Sequence, residues 1–129
     1  MLPSIDVQYL ADRAIEHIVT VEANLTCVVF GKFALPIGFD QTYSDLLIRL
    51  SAGYPDVPPD MWWFDPPVQR PDGRRIPATE SMEQHLGRTW QRWSRHLVPG
   101  QWRSGADGLE NYLAIIREDL VKAAGASVA

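Results

Sequence analysis

The chain is poor in cysteine: Cys27 is the only one among 129 residues. One cysteine cannot form an internal disulfide, and such scarcity is typical of a reducing compartment. No apolar run approaches the roughly 18 residues that a membrane-spanning helix needs. The first residues, MLPSIDVQ, have neither the basic nor the apolar region of a signal peptide. We therefore expect a cytoplasmic protein that does not insert into a membrane.

Positive charge is also in deficit. The net charge is −4 and the isoelectric point is near 5.2, which argues against a nucleic-acid partner. The arginines are unevenly distributed, however, because seven of them but only three acidic residues lie between Arg70 and Arg103. This segment could attract an acidic partner or hold a carboxylate. It could equally be a solvated basic surface that the rest of the chain balances.

The first half of the chain predicts a helix followed by an antiparallel meander. Apolar residues at helical spacing follow Pro3 and Ser4 and indicate an N-terminal helix, namely Val7, Leu10, Ala11, Ala14 and Ile18. Residues 18–35 are rich in β-branched and aromatic side chains, and Ala23-Asn24 suits a tight turn between two strands. Residues 43–50 alternate in polarity and predict a third strand.

Prolines and tryptophans dominate the second half. Residues 53–60 contain three prolines and cannot form a helix or a central strand, whereas Met61 to Phe64 predict a short fourth strand. Residues 68–103 show no clear periodicity and predict a long irregular segment held by tryptophans. A helical stripe then begins near Asp107, with Ser104 or Asp107 as its cap. The prediction is one α+β domain over residues 1–129, frayed at 1–3 and 124–129.

The order of elements and one motif resemble the ubiquitin-conjugating enzymes, or E2 proteins. Tyr54-Pro55 followed by Pro58-Pro59, just after the third strand, matches the family's Tyr-Pro-x-x-Pro-Pro element. Trp102, just before the last helix, is similar to a family tryptophan that lies eight residues after the catalytic cysteine. The chain looks more specifically like the prokaryotic family E branch, whose members are found beside genes for ubiquitin-like proteins, activating enzymes and metalloprotease deconjugases. This resemblance implies the fold of ubiquitin-conjugating enzymes, with a four-stranded meander between the two helices.

The departures from that family concern its chemistry. No cysteine follows Cys27, and a thioester-forming enzyme needs a thiolate to accept the C-terminus of the ubiquitin-like protein. Cys27 lies within a predicted strand and is expected to be a small core residue. The family's His-Pro-Asn element is absent too, because no asparagine lies between Asn24 and Asn111. We therefore predict a branch member that lacks the catalytic cysteine.

The resemblance places the catalytic position at Ser94, eight residues before Trp102. If the protein is active, Ser94 would accept an acyl group as an ester, His96 would act as the base, and Arg95 would stabilise charge. Residues two apart point away from each other in a strand and do not face each other in a helix. The favoured reading is therefore that Arg95 and His96 hold the loop in place. The histidines lack the spacing of a zinc site, so we expect no metal and no cofactor.

A partner surface is the second candidate. Adjacent strand residues face opposite sides, so one of Trp62 and Trp63 should leave the core. Exposed tryptophan beside arginine is typical of interface hot spots, and arginine binds carboxylates through paired hydrogen bonds. The predicted partner-binding residues are Trp63, Arg92, Trp93, Arg95, Arg74 and Arg75.

Two functions follow from the resemblance. The first is a non-catalytic E2-like protein that binds a bacterial ubiquitin-like protein or its activating enzyme in a ubiquitination-like pathway. The alternative is an active enzyme without cysteine that forms an ester or isopeptide through Ser94 or His96.

Overall fold

The computed structural model describes residues 2–125 and contains two helices and six strands. In chain order they are α1 (Ser4–Asp12), β1 (Ile18–Glu22), β2 (Leu25–Ala34), β3 (Tyr43–Leu50), β4 (Trp62–Asp65), β5 (Met82–His85), β6 (Arg88–Trp93) and α2 (Leu109–Ala123). The predicted α+β class, with a helix at each end of an antiparallel sheet, is confirmed. Neither helix is long and apolar enough to span a membrane in the part of the chain that the structure describes.

The six strands form one antiparallel sheet in the order β1-β2-β3-β4-β6-β5. The predicted turn at Ala23-Asn24 joins β1 to β2, and both residues have positive φ angles of 51° and 64°. Two consecutive positive φ angles define the type I′ turn, whose twist matches that of the flanking strands. The turn thereby sets the register in which Glu22 pairs with Leu25.

The sheet has two more strands than the predicted four-stranded meander. They come from the segment 68–103, which contains a β5–β6 hairpin beside β4. Its turn is Leu86-Gly87, with φ angles of 56° and 74°. Turns of this kind usually begin with asparagine or aspartate, but position 86 is a leucine, a residue that seldom adopts a positive φ. The sequence therefore lacks the usual signal for this turn.

The N-terminal helix is shorter than its apolar pattern predicts. It ends at Asp12, and Ala14 adopts a positive φ of 51°. Ile18, which was included in the helical stripe, is the first residue of β1. Leu2 and Ala124, which lie within the stretches predicted to fray, pack in the core, and the fraying stays a prediction. Met1 and residues 126–129 lie outside the described residues.

Both faces of the sheet bury apolar side chains. The main core lies between the sheet and the helices and includes Leu46, Ile48, Trp62, Trp93 and Leu113. A second cluster covers the opposite face and consists of Cys27, Leu47, Trp63 and Trp90. The predicted alternation along β3 is confirmed, because Leu46 and Ile48 enter the main core and Leu47 enters the second cluster.

The start of α2 is stabilised by a residue of α1. Gly108 is the N-cap, and the predicted cap Asp107 instead accepts hydrogen bonds from the backbone and guanidinium of Arg103. The buried carboxylate of Asp6 accepts a hydrogen bond from the Leu109 N–H at 2.9 Å. Asp6 therefore satisfies the Leu109 N–H at this helix N-terminus, while Asn111 of α2 accepts from the Gly108 N–H at 2.9 Å.

Candidate functional site

The segment Ser94-Arg95-His96 leaves the end of β6 and runs toward α2. Its backbone is fixed on both sides, because the Ser94 N–H donates to the Ala78 carbonyl at 3.0 Å and the Arg95 carbonyl accepts from the Met61 N–H at 3.0 Å. The segment therefore extends the backbone hydrogen bonding of the sheet, although it belongs to no strand. This anchoring supports the reading in which the loop is structurally ordered.

Ser94 and His96 have different hydrogen-bond partners. The Ser94 Oγ accepts a hydrogen bond from the Arg92 Nε at 2.9 Å. The His96 Nδ1 lies 2.7 Å from a carboxylate oxygen of Asp60, which precedes β4. Within residues 2–125, no hydrogen bond joins Ser94 to an imidazole or a carboxylate. The described hydrogen bonds therefore place a cation, and not a general base, beside the serine.

Arg95 has a structural environment. Its Nε donates to Asp119 of α2 at 2.9 Å, one Nη donates to the Pro77 carbonyl at 2.8 Å, and its guanidinium lies 5.0 Å from the ring centroid of Trp93. These contacts join the loop, the helix and the core. They agree with the expectation that Arg95 holds the loop, although its predicted partner role stays a prediction.

The predicted exposed tryptophans are buried. Trp63 does leave the main core, as expected for a neighbour of Trp62, but it enters the second cluster and is only 4% exposed. Trp93 is fully buried and stacks on Trp62 at 6.2 Å between ring centroids. The prediction that one of Trp62 and Trp63 offers an exposed contact is wrong, because the β5–β6 hairpin covers the face into which Trp63 projects.

In the fold, carboxylates lie close to the arginine-rich segment and compensate much of its positive charge. Each of its seven arginines lies near a carboxylate, and several of those carboxylates come from other parts of the chain. Arg88 contacts Asp45 and Asp65, Arg95 contacts Asp119, and Arg103 contacts Asp107. The reading of a balanced basic surface therefore describes most of the segment.

Arg74 and Arg75 remain largely exposed, as Arg103 does. Together with Arg70 they line a cavity of about 240 Å³ beside the loop between β4 and β5. Asp72 accepts from the backbone N–H and the Nε of Arg74, both at 2.9 Å, and these hydrogen bonds lower the pKa of its carboxyl. The carboxylates that pair with Arg74 and Arg75 are Asp72 and Glu80, which are themselves exposed, so an acidic ligand could take their place.

A polar network lies on the face of the second cluster, and it was not foreseen from the sequence. Glu83 accepts hydrogen bonds from Trp63 Nε1 at 2.9 Å and from Arg92 Nη1 at 2.7 Å, and it lies 2.9 Å from His85 Nε2. Burial alone would raise the pKa of the Glu83 carboxyl. The bonds from His85, Trp63 and Arg92 outweigh burial and lower the pKa.

We expect Glu83→Gln to lower the stability by about 1–2 kcal/mol at pH 7, because hydrogen bonds to a carboxylate are lost. A carboxyl whose pKa is lower in the folded state than its usual value of about 4.3 stabilises the protein above that pH. This stabilisation is lost as the pH falls through the folded pKa, so the difference between variant and wild type should shrink below about pH 4. Urea denaturation at pH 7 and pH 3 measures it.

The matched control is Glu118→Gln, an exposed carboxylate that faces Lys122 on α2. It should change stability by less than about 0.5 kcal/mol at either pH. An equal loss at pH 7 and pH 3 for Glu83→Gln would show that the charge of Glu83 is not what stabilises the network.

The Tyr-Pro element and Trp102, the two features that carry the resemblance, contact each other in the fold. The Tyr54 and Trp102 rings lie 6.3 Å apart between centroids, and Trp102 Nε1 donates to the Pro55 carbonyl at 2.9 Å. The Tyr54 hydroxyl in turn donates to Asp6 at 2.6 Å. Burial, this hydrogen bond and the charge of Asp6 raise the pKa of Tyr54, so the hydroxyl stays protonated and keeps its donor role.

Cys27 is fully buried in β2, within the second cluster, as the sequence predicts for a core residue. Among the described residues there is no group of three or more histidine, cysteine, aspartate or glutamate side chains placed to hold a metal ion. The expectation of no metal and no cofactor stays a prediction.

The antiparallel sheet has a helix at each end, and a Tyr-Pro element packs on a tryptophan just before the last helix. This combination defines an E2-like protein. Comparison with known families agrees, since the sequence model of prokaryotic E2 family E matches residues 2–123. The chain belongs to this family. Searches of curated proteins and of solved structures gave no match.

Membership of an E2-like family relates the protein to ubiquitin-like conjugation. The sequence reasoning that named Ser94, Arg95 and His96 missed their partners. Asp60 and Asp119 have no motif around them, and only the fold brings them to the loop.

Proposed function

We propose that this protein is a non-catalytic E2-like protein of the cytoplasm, which binds a bacterial ubiquitin-like protein or its activating enzyme in a conjugation pathway. The observation that supports this proposal is the environment of Cys27. It is the only thiol of the chain and it is fully buried between β-strands. A thiol in that position cannot reach the C-terminus of another protein.

The environment of Ser94 supports the proposal further. Transfer through a serine requires a neighbouring base, and the described contacts of its Oγ include only the Arg92 guanidinium. Arginine stays protonated at neutral pH and cannot take up the proton.

We propose Arg74 and Arg75 as the binding residues, because their side chains are 69% and 81% exposed beside the cavity. The double change Arg74→Ala/Arg75→Ala should weaken binding of the ubiquitin-like protein of the same genome about tenfold or more, since a hydrogen bond to a charged group contributes about 1.5–3 kcal/mol. Calorimetric titration measures this. Arg13→Ala, which removes an exposed arginine of the loop after α1, is the matched control and should leave the affinity unchanged.

The alternative, an active enzyme without cysteine, is favoured by one contact. Asp60 holds the His96 ring through Nδ1 and leaves Nε2 of this exposed side chain without a described partner. An imidazole oriented in this way is suited to act as a base or a nucleophile.

One experiment separates the two functions. The protein is incubated with ATP and with the activating enzyme and ubiquitin-like protein of the same genome, and adducts are tested for cleavage by hydroxylamine or base. The proposal predicts a non-covalent complex without an adduct. An adduct that disappears in Ser94→Ala or His96→Ala, but persists in the control variants Ser51→Ala and His17→Ala, would overturn it.

A further inference from the structure

Strand β1 is an open edge of the sheet with apolar side chains on both of its faces. Ile18 and Val21 are each 67% exposed and Val19 is 40% exposed. β1 pairs with β2 on one side only. Outside that ladder, no backbone group of residues 18–22 is hydrogen-bonded to any other residue within 2–125.

The hairpin geometry identifies the free backbone groups. In a hairpin with a two-residue turn, the pair that closes the turn exchanges both hydrogen bonds, and bonded and non-bonded pairs then alternate. Glu22 with Leu25 is the closing pair, and Thr20 pairs with Cys27 two positions away. The N–H and C=O groups of Val19 and Val21 therefore point outward, away from β2.

The opposite edge of the sheet is different. β5 consists of the four residues Met82–His85, and its side chains are engaged locally, since Gln84 bonds to Thr89 and His85 lies beside Glu83. Protein sheets usually prevent an edge strand from pairing with another chain by means of charge, proline or a bulge. β1, with the sequence Ile-Val-Thr-Val-Glu, has no proline and only a terminal charge. The irregularity in β2 lies between Phe30 and Phe33, beyond the residues that pair with β1.

We propose that two copies of this protein associate through β1, antiparallel and about a two-fold axis at Thr20, so that their sheets form one continuous twelve-stranded sheet. In this register Val19 faces Val21 of the second copy, and the reverse pair is formed by symmetry. Both pairs bring outward N–H and C=O groups together, which gives four backbone hydrogen bonds. Val–Val and Thr–Thr neighbours across the strands add apolar and hydroxyl contacts.

The positions of the acidic residues select this register. A shift that places Val19 opposite itself pairs only Ile18, Val19 and Thr20 within β1 and brings Glu22 to Glu16, which lies outside the strand. Like charges that face each other are destabilising. A shift that places Val21 opposite itself brings Ala23 opposite Val19. Ala23 belongs to the turn and has a positive φ, so it cannot extend the ladder. The Thr20 register has neither the carboxylate contact nor the turn residue in the ladder. Because β1 is complementary to itself in this register, a second copy of the protein is the favoured partner for this edge.

The expected dimer is weak. A single short strand pair is at the small end of protein interfaces, so we expect association at about 10–100 µM rather than in the nanomolar range. The edge is formed by β1 alone, without the loop at Ser94 or the cavity at Arg74. The proposal is therefore independent of the proposed function.

Sedimentation equilibrium from about 5 to 500 µM tests the dimer. The wild type should change from monomer to dimer in this range. Val21→Lys should shift the dissociation constant upward at least about tenfold, because it brings two positive charges to the interface. Val98→Lys is the matched control, since Val98 is 64% exposed in a loop far along the chain, and it should dimerise like the wild type.

Val21→Pro provides a second variant that removes an outward N–H and preserves the ladder with β2. Circular dichroism checks that each variant is folded. Amide hydrogen exchange should show protection of Val19 and Val21 at high protein concentration only. A wild type that stays monomeric to 500 µM, or a dimer that persists in both Val21 variants, would overturn the proposal.

Discussion

Replacing Asp6 with alanine is expected to lower the free energy of unfolding by roughly 3–5 kcal/mol, because two hydrogen bonds to a buried carboxylate are lost together. Asp6 is 1% exposed and accepts from the Tyr54 hydroxyl at 2.6 Å and from the Leu109 N–H at 2.9 Å. Alanine leaves the buried Leu109 N–H and the partly buried Tyr54 hydroxyl without their acceptor. The measurement is urea denaturation at pH 7, with the midpoint shifted and the slope unchanged.

Two further variants separate the contributions of the two hydrogen bonds to the stability. Tyr54→Phe removes one donor and should cost only about 1–2 kcal/mol, since Asp6 keeps its bond to Leu109. The double variant should cost less than the sum of the two single changes, because both remove the same bond. A loss below about 1 kcal/mol for Asp6→Ala would mean that water replaces the carboxylate and that α1 does not stabilise the start of α2.

Gly108 is part of the same arrangement. A Cβ at position 108 would lie 2.5 Å from a carboxylate oxygen of Asp6, so the carboxylate occupies the space that any other residue would need. The glycine is required by this close approach and not by its φ of −152°, which any residue can adopt.

Replacing Trp93 with alanine is expected to cost roughly 3–5 kcal/mol, as is usual for a large aromatic side chain in a core. Its ring is fully buried, stacks on Trp62 and meets Phe64 edge-on at 5.6 Å between centroids. Trp93 Nε1 also donates to the Gln91 side chain at 2.9 Å. The loss should appear in both thermal and urea denaturation.

The control at this position is Trp93→Phe, which keeps an aromatic ring and loses the indole donor. It should cost less than half as much as alanine. The outcome bears on function, because a surface hot spot would tolerate alanine with little loss of stability and lose only binding. Near-wild-type stability of Trp93→Ala would therefore restore Trp93 as a candidate contact. Arg75→Ala, at an exposed position, should leave stability within about 0.5 kcal/mol.

The candidate site was only partly predictable. The choice of Ser94 followed from its spacing to Trp102, whereas the contact of Trp102 with the Tyr-Pro element became evident only in the structure. The partners of the site came from distant positions, such as Asp119 for Arg95. Pairings of this kind depend on how α2 packs beside the end of β6, and no local pattern encodes that packing.

What the sequence by itself determined was local and periodic: the β1–β2 turn, the alternation of β3, the short β4 and the stripe of α2. Each follows from backbone preferences or from the period of one element. Tertiary structure alone decided that the β5–β6 hairpin covers Trp63, that the arginines meet carboxylates, and that Asp6 stabilises the start of α2. These outcomes depend on contacts between residues far apart in the chain, which no local pattern encodes. The burial of Cys27 could be predicted because it follows from the position of this residue within a single strand.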